Sequence, residues 1–217
     1  MRAFHLVSAE YGLQDVRKRR LKIATLDELN DPFDFFGADL GDPADRKKLA
    51  IARKSIGQKF GLLCFSERWD NPVLWSHYAE KHRGVCLGFE IPDHLLGRVT
   101  YANRRFKLQP DPLKASGAPD NDSIEKLMFT KYSHWRYERE LRMFSSLQDA
   151  QVEDGRSFAN FGTHVRLTTF IVGASSTLSR DDVAQALGDI SSEVQVIKAR
   201  LAFRSFRVVR QRDSRLW

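Results

Sequence analysis

The sequence predicts a single α+β domain over residues 1–217, with a mixed, mostly antiparallel sheet of about seven strands and interspersed helices. Short apolar runs alternate with amphipathic segments of helical length along the whole chain. No internal repeat is visible, and no linker-like segment separates two cores. A chain of 217 residues, 42% of them hydrophobic, is long enough to bury one substantial core.

The first half of the chain alternates strands with helices. The run AFHLVS predicts an opening strand, and Leu13 and Val16 have the spacing of one helix face. Asn30 and Asp31 before Pro32 favour a turn, because proline lacks a backbone donor. The elements predicted here are strand 3–8, helix 9–19, strand 21–24, helix 44–59, strand 61–66, a helix from Pro72 to about Lys81 capped by Asp70 or Asn71, and strand 84–91.

The second half of the chain begins with a segment, 107–122, that is rich in Pro, Gly and Asp and predicts a mobile surface loop. The β-branched run THVRLTTFIVG predicts a strand, and Ser179 is a suitable helix cap. The elements predicted here are helix 123–132, a strand in the later part of WRYERELRMFSS, strand 163–173, helix 180–188 and two strands within 194–210.

Basic residues are concentrated near one end of the chain. The net charge is +7, and residues 200–217 contain six Arg against one Asp, whereas the remainder is nearly balanced. This segment is either a strand with a solvated basic face or a surface that binds phosphate, on a nucleotide or a nucleic acid. Both interpretations stay open on the sequence alone.

Several classes of protein are excluded or disfavoured by pattern. No apolar stretch of 18 residues and no signal-peptide pattern are present, so we expect a cytoplasmic protein with no membrane partner. Cys64 and Cys86, each within an apolar run, favour a reducing compartment and no metal site. The absence of a P-loop and of G-x-G-x-x-G makes a standard kinase, GTPase or Rossmann dehydrogenase improbable.

The most informative motif is WRYERELR. On a strand, Glu138, Glu140 and Arg142 would lie on one face, and burying such a set is costly unless it serves a site. Neighbouring carboxylates can divide their work when one is ionised and the other has a raised pKa. The alternative is a solvated ladder of Glu and Arg side chains.

Two further segments carry candidate residues. In NPVLWSHYAEKH, Trp75 and Tyr78 either pack in the core or form an aromatic wall for a planar ring, with His77 or His82 at its edge. Ser66, at the end of a strand, is better suited to hydrogen bonding with a ligand or to capping than to nucleophilic catalysis. The turn segment NDPFD, residues 30–34, could equally line a pocket or serve structure.

Four sequence boxes carry a resemblance to known families. NDPFDFF, LCFSE, NPVLWSHYAEKHRGVCLGFE and KYSHWRYERELRMF resemble, over nearly the whole chain, a widespread bacterial family of unknown function. The element order, with a polar residue on the opening strand and a late E-x-E, is also similar to the ADP-ribosyltransferase fold. That resemblance implies NAD as co-substrate, Glu140 as the catalytic carboxylate and Glu138 as its substrate-orienting partner. The NAD-binding residues it implies are His5, Ser66, Trp75, Tyr78, His77 and Arg142.

The function expected from this resemblance is an NAD-consuming ADP-ribosyltransferase or NAD glycohydrolase. We expect a toxin or phage-defence effector that modifies nucleic acid or protein. Whether an inhibitory partner protein silences it stays open on the sequence alone. Two alternatives are a nuclease that uses His and carboxylates on a basic surface, and a non-enzymatic module that binds nucleic acid or protein. Release of nicotinamide, cleavage of nucleic acid without NAD, and salt-sensitive binding would separate the three.

Overall fold

The computed structural model describes residues 1–109 and 119–217. Nine residues of the predicted loop 107–122, residues 110–118, lie outside the described residues. The strands of the described part are, in chain order, β1 (Arg2–Val7), β2 (Arg20–Lys22), β3 (Phe60–Ser66), β4 (Val85–Glu90), β5 (Gly97–Arg98), β6 (Thr100–Ala102), β7 (Thr130–Tyr132), β8 (Glu140–Ser146), β9 (Gln151–Glu153), β10 (Arg156–Asn160), β11 (Arg166–Val172), β12 (Gln195–Leu201) and β13 (Val208–Arg210).

A large mixed sheet lies at the centre of the fold. Within residues 1–109 and 119–217 it has eight strands in the order β13-β12-β11-β4-β1-β3-β8-β5, slightly more than the seven expected. Neighbouring strands are antiparallel, except that β11 and β12 are parallel. Smaller sheets join β2 with β10 and β9, and β6 with β7. The mostly antiparallel α+β architecture is therefore confirmed.

The helices begin where the sequence places capping side chains. Ser8 and Asn71 accept hydrogen bonds from the first turns of their helices, and Ser179 forms a capping box with Asp182. The α-helices of the described residues are α1 (Ala9–Lys18), α2 (Pro43–Gly57), α3 (Pro72–Tyr78), α4 (Asn121–Phe129) and α5 (Arg180–Leu187).

Three predicted element boundaries were wrong in ways that affect the site. The helix predicted over 123–132 ends at Phe129, and Lys131 lies on the strand β7 instead. Helix α3 ends at Tyr78, not at Lys81, because the chain turns at Ala79 and enters a left-handed conformation at Glu80. Glu138 does not lie on a strand with Glu140. It ends a 3₁₀ helix, Ser133–Glu138, and β8 begins only after a residue with φ 44°, Arg139.

The sheet carries an apolar layer on each face. Helices α1 and α5 contribute Val16 and Val183 to a large cluster that also contains Phe89 of β4. On the other face, Trp75 of α3 packs with Ile171 of β11. Helix α3 is thereby held against the centre of the sheet, with Tyr78 at its last turn.

The sheet parts between β1 and β3. Within the described residues the two strands share a single paired position, Phe4 opposite Ser66, whereas β1 pairs with β4 over Arg2 to Val7. Beyond Phe4 the backbones of β1 and β3 no longer form a continuous ladder. This gap positions the candidate site.

Candidate active site

A cavity of about 120 Å³ lies where β1 and β3 separate. An engineered apolar cavity of about 150 Å³ is able to bind benzene, so the space suits one planar ring better than a whole dinucleotide. Its apolar lining comprises Phe4, Leu6, Leu29, Phe65 and Leu74. Its polar lining comprises His5, Asn30, Asp34, Cys64, Ser66, Tyr78, Lys131, Glu138 and Glu140.

A buried ionic cluster forms one side of the cavity. The ammonium of Lys131 lies 2.7 Å from Oε2 of Glu138, 3.2 Å from Oε2 of Glu140 and 3.6 Å from Oδ2 of Asp34. The guanidinium of Arg142 donates to Oδ1 of Asp34 at 2.6 Å and to Oε1 of Glu140 at 2.7 Å. Among the described residues, the cluster holds three carboxylates and two cations, so full ionisation leaves one negative charge in excess.

The two glutamates of the E-x-E motif have different protonation behaviour. Burial alone would raise the pKa of Glu140, but Arg142 and then Lys131 outweigh burial and lower it. Burial raises the pKa of Glu138, although Lys131 and Tyr78 oppose the rise. Glu140 is therefore held ionised, whereas Glu138 is the member of the pair closer to accepting a proton.

The strand register explains why Glu140 faces the cavity. Ser66 lies opposite Glu140 and Cys64 opposite Arg142 in the pairing of β3 with β8. Residues two apart on a strand share a face, so Glu140 and Arg142 lie on the same side of the sheet as Ser66. The backbone amide of Glu140 also donates to the hydroxyl of Tyr101 at 2.8 Å, which fixes the start of β8.

Tyr78 connects helix α3 to the cluster. Its hydroxyl donates to Oε1 of Glu138 and accepts a hydrogen bond from Nδ2 of Asn30 at 2.5 Å. Burial, and then the charge of Glu138, raises the pKa of Tyr78, so the phenol keeps its proton. This pair of hydrogen bonds joins the turn around Asn30 to the side of the cavity that carries Glu138.

His5 offers a hydrogen-bond acceptor in the gap between the strands. Its Nδ1 lies 3.0 Å from the carbonyl oxygen of Cys64, and this nitrogen must donate because a carbonyl oxygen only accepts. Burial lowers the pKa of His5, so the ring is neutral near pH 7. In the part of the chain that the structure describes, Nε2 of His5 has no hydrogen-bond partner.

Ser66 has a positioning role. Its hydroxyl donates to the backbone carbonyl of Glu138 at 2.5 Å and accepts a hydrogen bond from the amide of Arg68 at 3.2 Å. It thus ties the end of β3 to the 3₁₀ helix, Ser133–Glu138, that presents the carboxylate.

The structure brings together five of the eight residues expected at the site: His5, Ser66, Tyr78, Glu138 and Glu140. Trp75 does not line the cavity, because it is fully buried and its Nε1 donates to the carbonyl of Trp69. His77 is exposed and lies beside Tyr137 instead. Arg142 lies behind Glu140, where its guanidinium donates to Glu140, Asp34 and the carbonyl of Met128, and at 1% exposure it is too buried to reach a pyrophosphate.

Of the polar residues that line the cavity, Asn30, Asp34, Cys64 and Lys131 were not predicted as site residues. Asn30 and Asp34 lie in the NDPFD turn, which serves both structure and pocket: Asp31 accepts from the amide of Phe33. Lys131 carries no sequence signal, because it lies on the short strand β7 and meets Glu138 only through the intervening 3₁₀ helix. The turn signal in NDPFD left pocket lining and structure as equal alternatives for Asn30 and Asp34, whereas no pattern pointed to Lys131.

No group of three or more His, Cys, Asp or Glu side chains within the described ranges is placed to hold a metal ion. Nor does any helix found in those ranges have the length and apolar character needed to cross a membrane. Comparison of the chain with protein-family models, curated proteins and solved structures finds no match.

Proposed function

We propose that this chain consumes NAD, as an ADP-ribosyltransferase or NAD glycohydrolase with a fold of the ADP-ribosyltransferase kind. The carrying observation is a ring-sized cavity beside a buried cluster of three carboxylates and two cations, which has one negative charge in excess when all three acids are ionised. The nicotinamide ring of NAD is a cationic, planar group of fitting size. Cleavage of its bond to ribose builds positive charge on the sugar, which a nearby carboxylate stabilises.

The two glutamates take separate roles in this proposal. Glu140, held ionised by Arg142, stabilises the positive charge that develops on the ribose. Glu138 accepts the proton that the attacking water or acceptor hydroxyl loses as its oxygen bonds to the ribose carbon. The electrons of the broken carbon–nitrogen bond leave with nicotinamide, which becomes neutral. Tyr78 and Lys131 position Glu138 and are not themselves reacting groups.

The remainder of the cavity suits the nicotinamide group. Phe4, Leu6 and Phe65 supply apolar walls for the ring, and Nε2 of His5 is an acceptor for a carboxamide N–H. These residues come from β1 and β3, where the sheet parts. The polar opening strand and the E-x-E motif are the features on which the resemblance rests.

A second hollow offers room for the rest of a dinucleotide. Its volume is about 310 Å³, and Lys131 borders both it and the cavity. Arg104 and Arg105 lie there with the rings of Phe33 and Tyr132. Since Arg142 is buried behind Glu140, we assign the pyrophosphate to Arg104 and Arg105, which supply the cationic donors that it needs.

The test is to incubate the purified protein with NAD and to measure free nicotinamide and ADP-ribose by chromatography. The proposal predicts nicotinamide release, together with either free ADP-ribose or label transferred to an added nucleic-acid or protein acceptor. Intact NAD in the presence of DNA, RNA and cell lysate would contradict it. Cleavage of nucleic acid without NAD would favour the nuclease alternative instead.

A further inference from the structure

A hairpin at the edge of the large sheet presents two phenylalanines to solvent. It joins β12 to β13 through residues 202–207, and the amide of Ala202 donates to the carbonyl of Arg207 at 2.9 Å. Phe203 is 91% exposed and Phe206 is 98% exposed. Isolated apolar residues on a surface are ordinary, but two nearly bare rings on one short loop indicate a contact surface.

Arginines surround the ring of Phe203. The guanidinium of Arg200 lies 4.6 Å from the ring centroid of Phe203. An open groove of about 400 Å³ runs along the hairpin and is lined by Arg200, Arg204, Arg210 and Arg212 together with Phe203. Among the described residues, none of these four arginines has a carboxylate within ion-pair distance. The groove therefore has uncompensated positive charge.

The hairpin is held firmly and leads towards the cavity. The amide of Val208 donates to the carbonyl of Asp70 at 2.9 Å, which anchors the start of β13 to the loop between β3 and α3. A neighbouring groove of about 430 Å³ shares Val209 and Arg210 with the first. It also reaches Phe4, which lines the cavity between β1 and β3.

We propose that the hairpin, together with the strand residues on either side of it (residues 200–212 in all), binds single-stranded nucleic acid. Bases stack on Phe203 and Phe206, and the arginines hold the phosphates. Aromatic platforms beside a cationic groove bind single strands, because every base has a face that stacks. The concave arrangement of the arginines fits a narrow polyanion better than a flat bilayer. This surface lies outside the proposed NAD site, and the proposal stands whether or not NAD is cleaved.

The experiment measures fluorescence anisotropy of labelled twelve-nucleotide oligo-dT and oligo-U, with a duplex of the same length as comparison, in the absence of NAD. We expect both single strands to bind more tightly than the duplex, and the two arms show whether DNA or RNA is preferred. With four arginines on phosphates, log affinity should fall with log salt at a slope of about −3. Equal binding of duplex and single strands, or no binding of either, would overturn the proposal.

Matched variants distinguish the contribution of base stacking to the affinity from that of electrostatic attraction. Each of Phe203→Ala and Phe206→Ala should weaken binding by about five-fold or more. Tyr11→Ala is the control, because Tyr11 is also an exposed ring with a guanidinium, that of Arg156, over it. Unchanged affinity in both Phe variants would overturn the stacking proposal. Binding to anionic vesicles that requires these rings, without oligonucleotide binding, would reassign the surface to membranes.

Discussion

A single residue, Arg139, separates Glu138 from Glu140, yet the two carboxylates have different hydrogen-bonding partners. Arg142 and Lys131 both bond to Glu140, whereas Glu138 has Lys131 and the neutral hydroxyl of Tyr78. Because the cluster has one negative charge in excess, loss of charge at Glu138 leaves the remaining acids and bases balanced. Loss of charge at Glu140 instead removes the main partner of a buried guanidinium.

Glu138→Gln should therefore lower nicotinamide release by about 100-fold or more while the protein stays folded. Glu140→Gln should also destabilise the fold, by about 3 kcal/mol, because the buried Arg142 then has Asp34 as its only carboxylate partner among the described residues. Activity assays and chemical denaturation of both variants check this, with exposed Glu125→Gln as control. Full activity in Glu138→Gln would contradict the assigned role.

Asp15 makes the free energy of unfolding depend on pH. Burial raises the pKa of Asp15 in α1 to about 7, although Arg20 opposes the rise. The folded protein thus keeps a proton that the unfolded chain releases above about pH 4, so stability from this group is lost as pH rises from about 4 to 7.

Asp15→Asn should remove that loss and make the variant more stable than the original at pH 8, by on the order of 2 kcal/mol. Urea denaturation at pH 5 and at pH 8 measures it, and the exposed Asp149→Asn is the matched control. If Asp15→Asn lowered stability at pH 8, the carboxyl would be ionised and paired in the folded state.

For single residues, the sequence predicted the acidic pair Glu138 and Glu140 but not the side chains that contact it. The E-x-E spacing identified Glu138 and Glu140, because two carboxylates so close together are unusual near a strand. The contact of Lys131 with both depends on a 3₁₀ helix whose path no local pattern predicts. The sequence also could not decide whether Trp75 contacts a ligand or packs in the core, because helical spacing does not distinguish a face that packs in the core from one that lines a pocket.

Among the elements, the segment that follows α3 has the most unusual backbone conformation. Glu80, Lys81 and His82 all have positive φ, between 47° and 70°, a conformation that costs non-glycine residues about 1–2 kcal/mol each. Gly84 follows where a Cβ atom would lie 2.3 Å from the carbonyl oxygen of Val7. The tight path brings β4 directly against β1, and Glu80 secures it by accepting from the amide of Ala9 at 3.0 Å.

Lys81→Gly should stabilise the protein by about 0.5–1 kcal/mol, because glycine adopts positive φ without strain. Lys47→Gly is the matched control: Lys47 is exposed within α2, where glycine should cost about 1 kcal/mol. Thermal unfolding of the two variants should show shifts of opposite sign. Destabilisation by both changes would mean that the side chain of Lys81 has a structural role.

Buried strands were among the elements that the sequence predicted best. The apolar runs at 61–66 and 84–91 became β3 and β4 within one residue at each end, because a strand buried on both faces is apolar throughout. The end of α3 and the start of β8 were missed, since both depend on left-handed residues other than glycine. Such residues are set by tertiary contacts rather than by local preference.

For the whole molecule, the α+β class and the mostly antiparallel sheet follow from the alternation of short apolar runs with helical segments. The strand order does not follow, because it is decided by contacts between segments far apart in the chain. Such long-range contacts also create the gap between β1 and β3. They bring Asp34, Lys131 and the two glutamates together. The candidate site is thus a property of the assembled sheet.

The central claim is that this cavity accepts a cationic ring because of the excess negative charge beside it. Thermal unfolding with neutral nicotinamide and with the cation 1-methylnicotinamide tests the claim directly, since a ligand that binds the folded state raises the melting temperature. The account predicts a larger rise with the cation, and loss of that preference in Glu138→Gln. Equal rises with both compounds, or no rise with either, would contradict it.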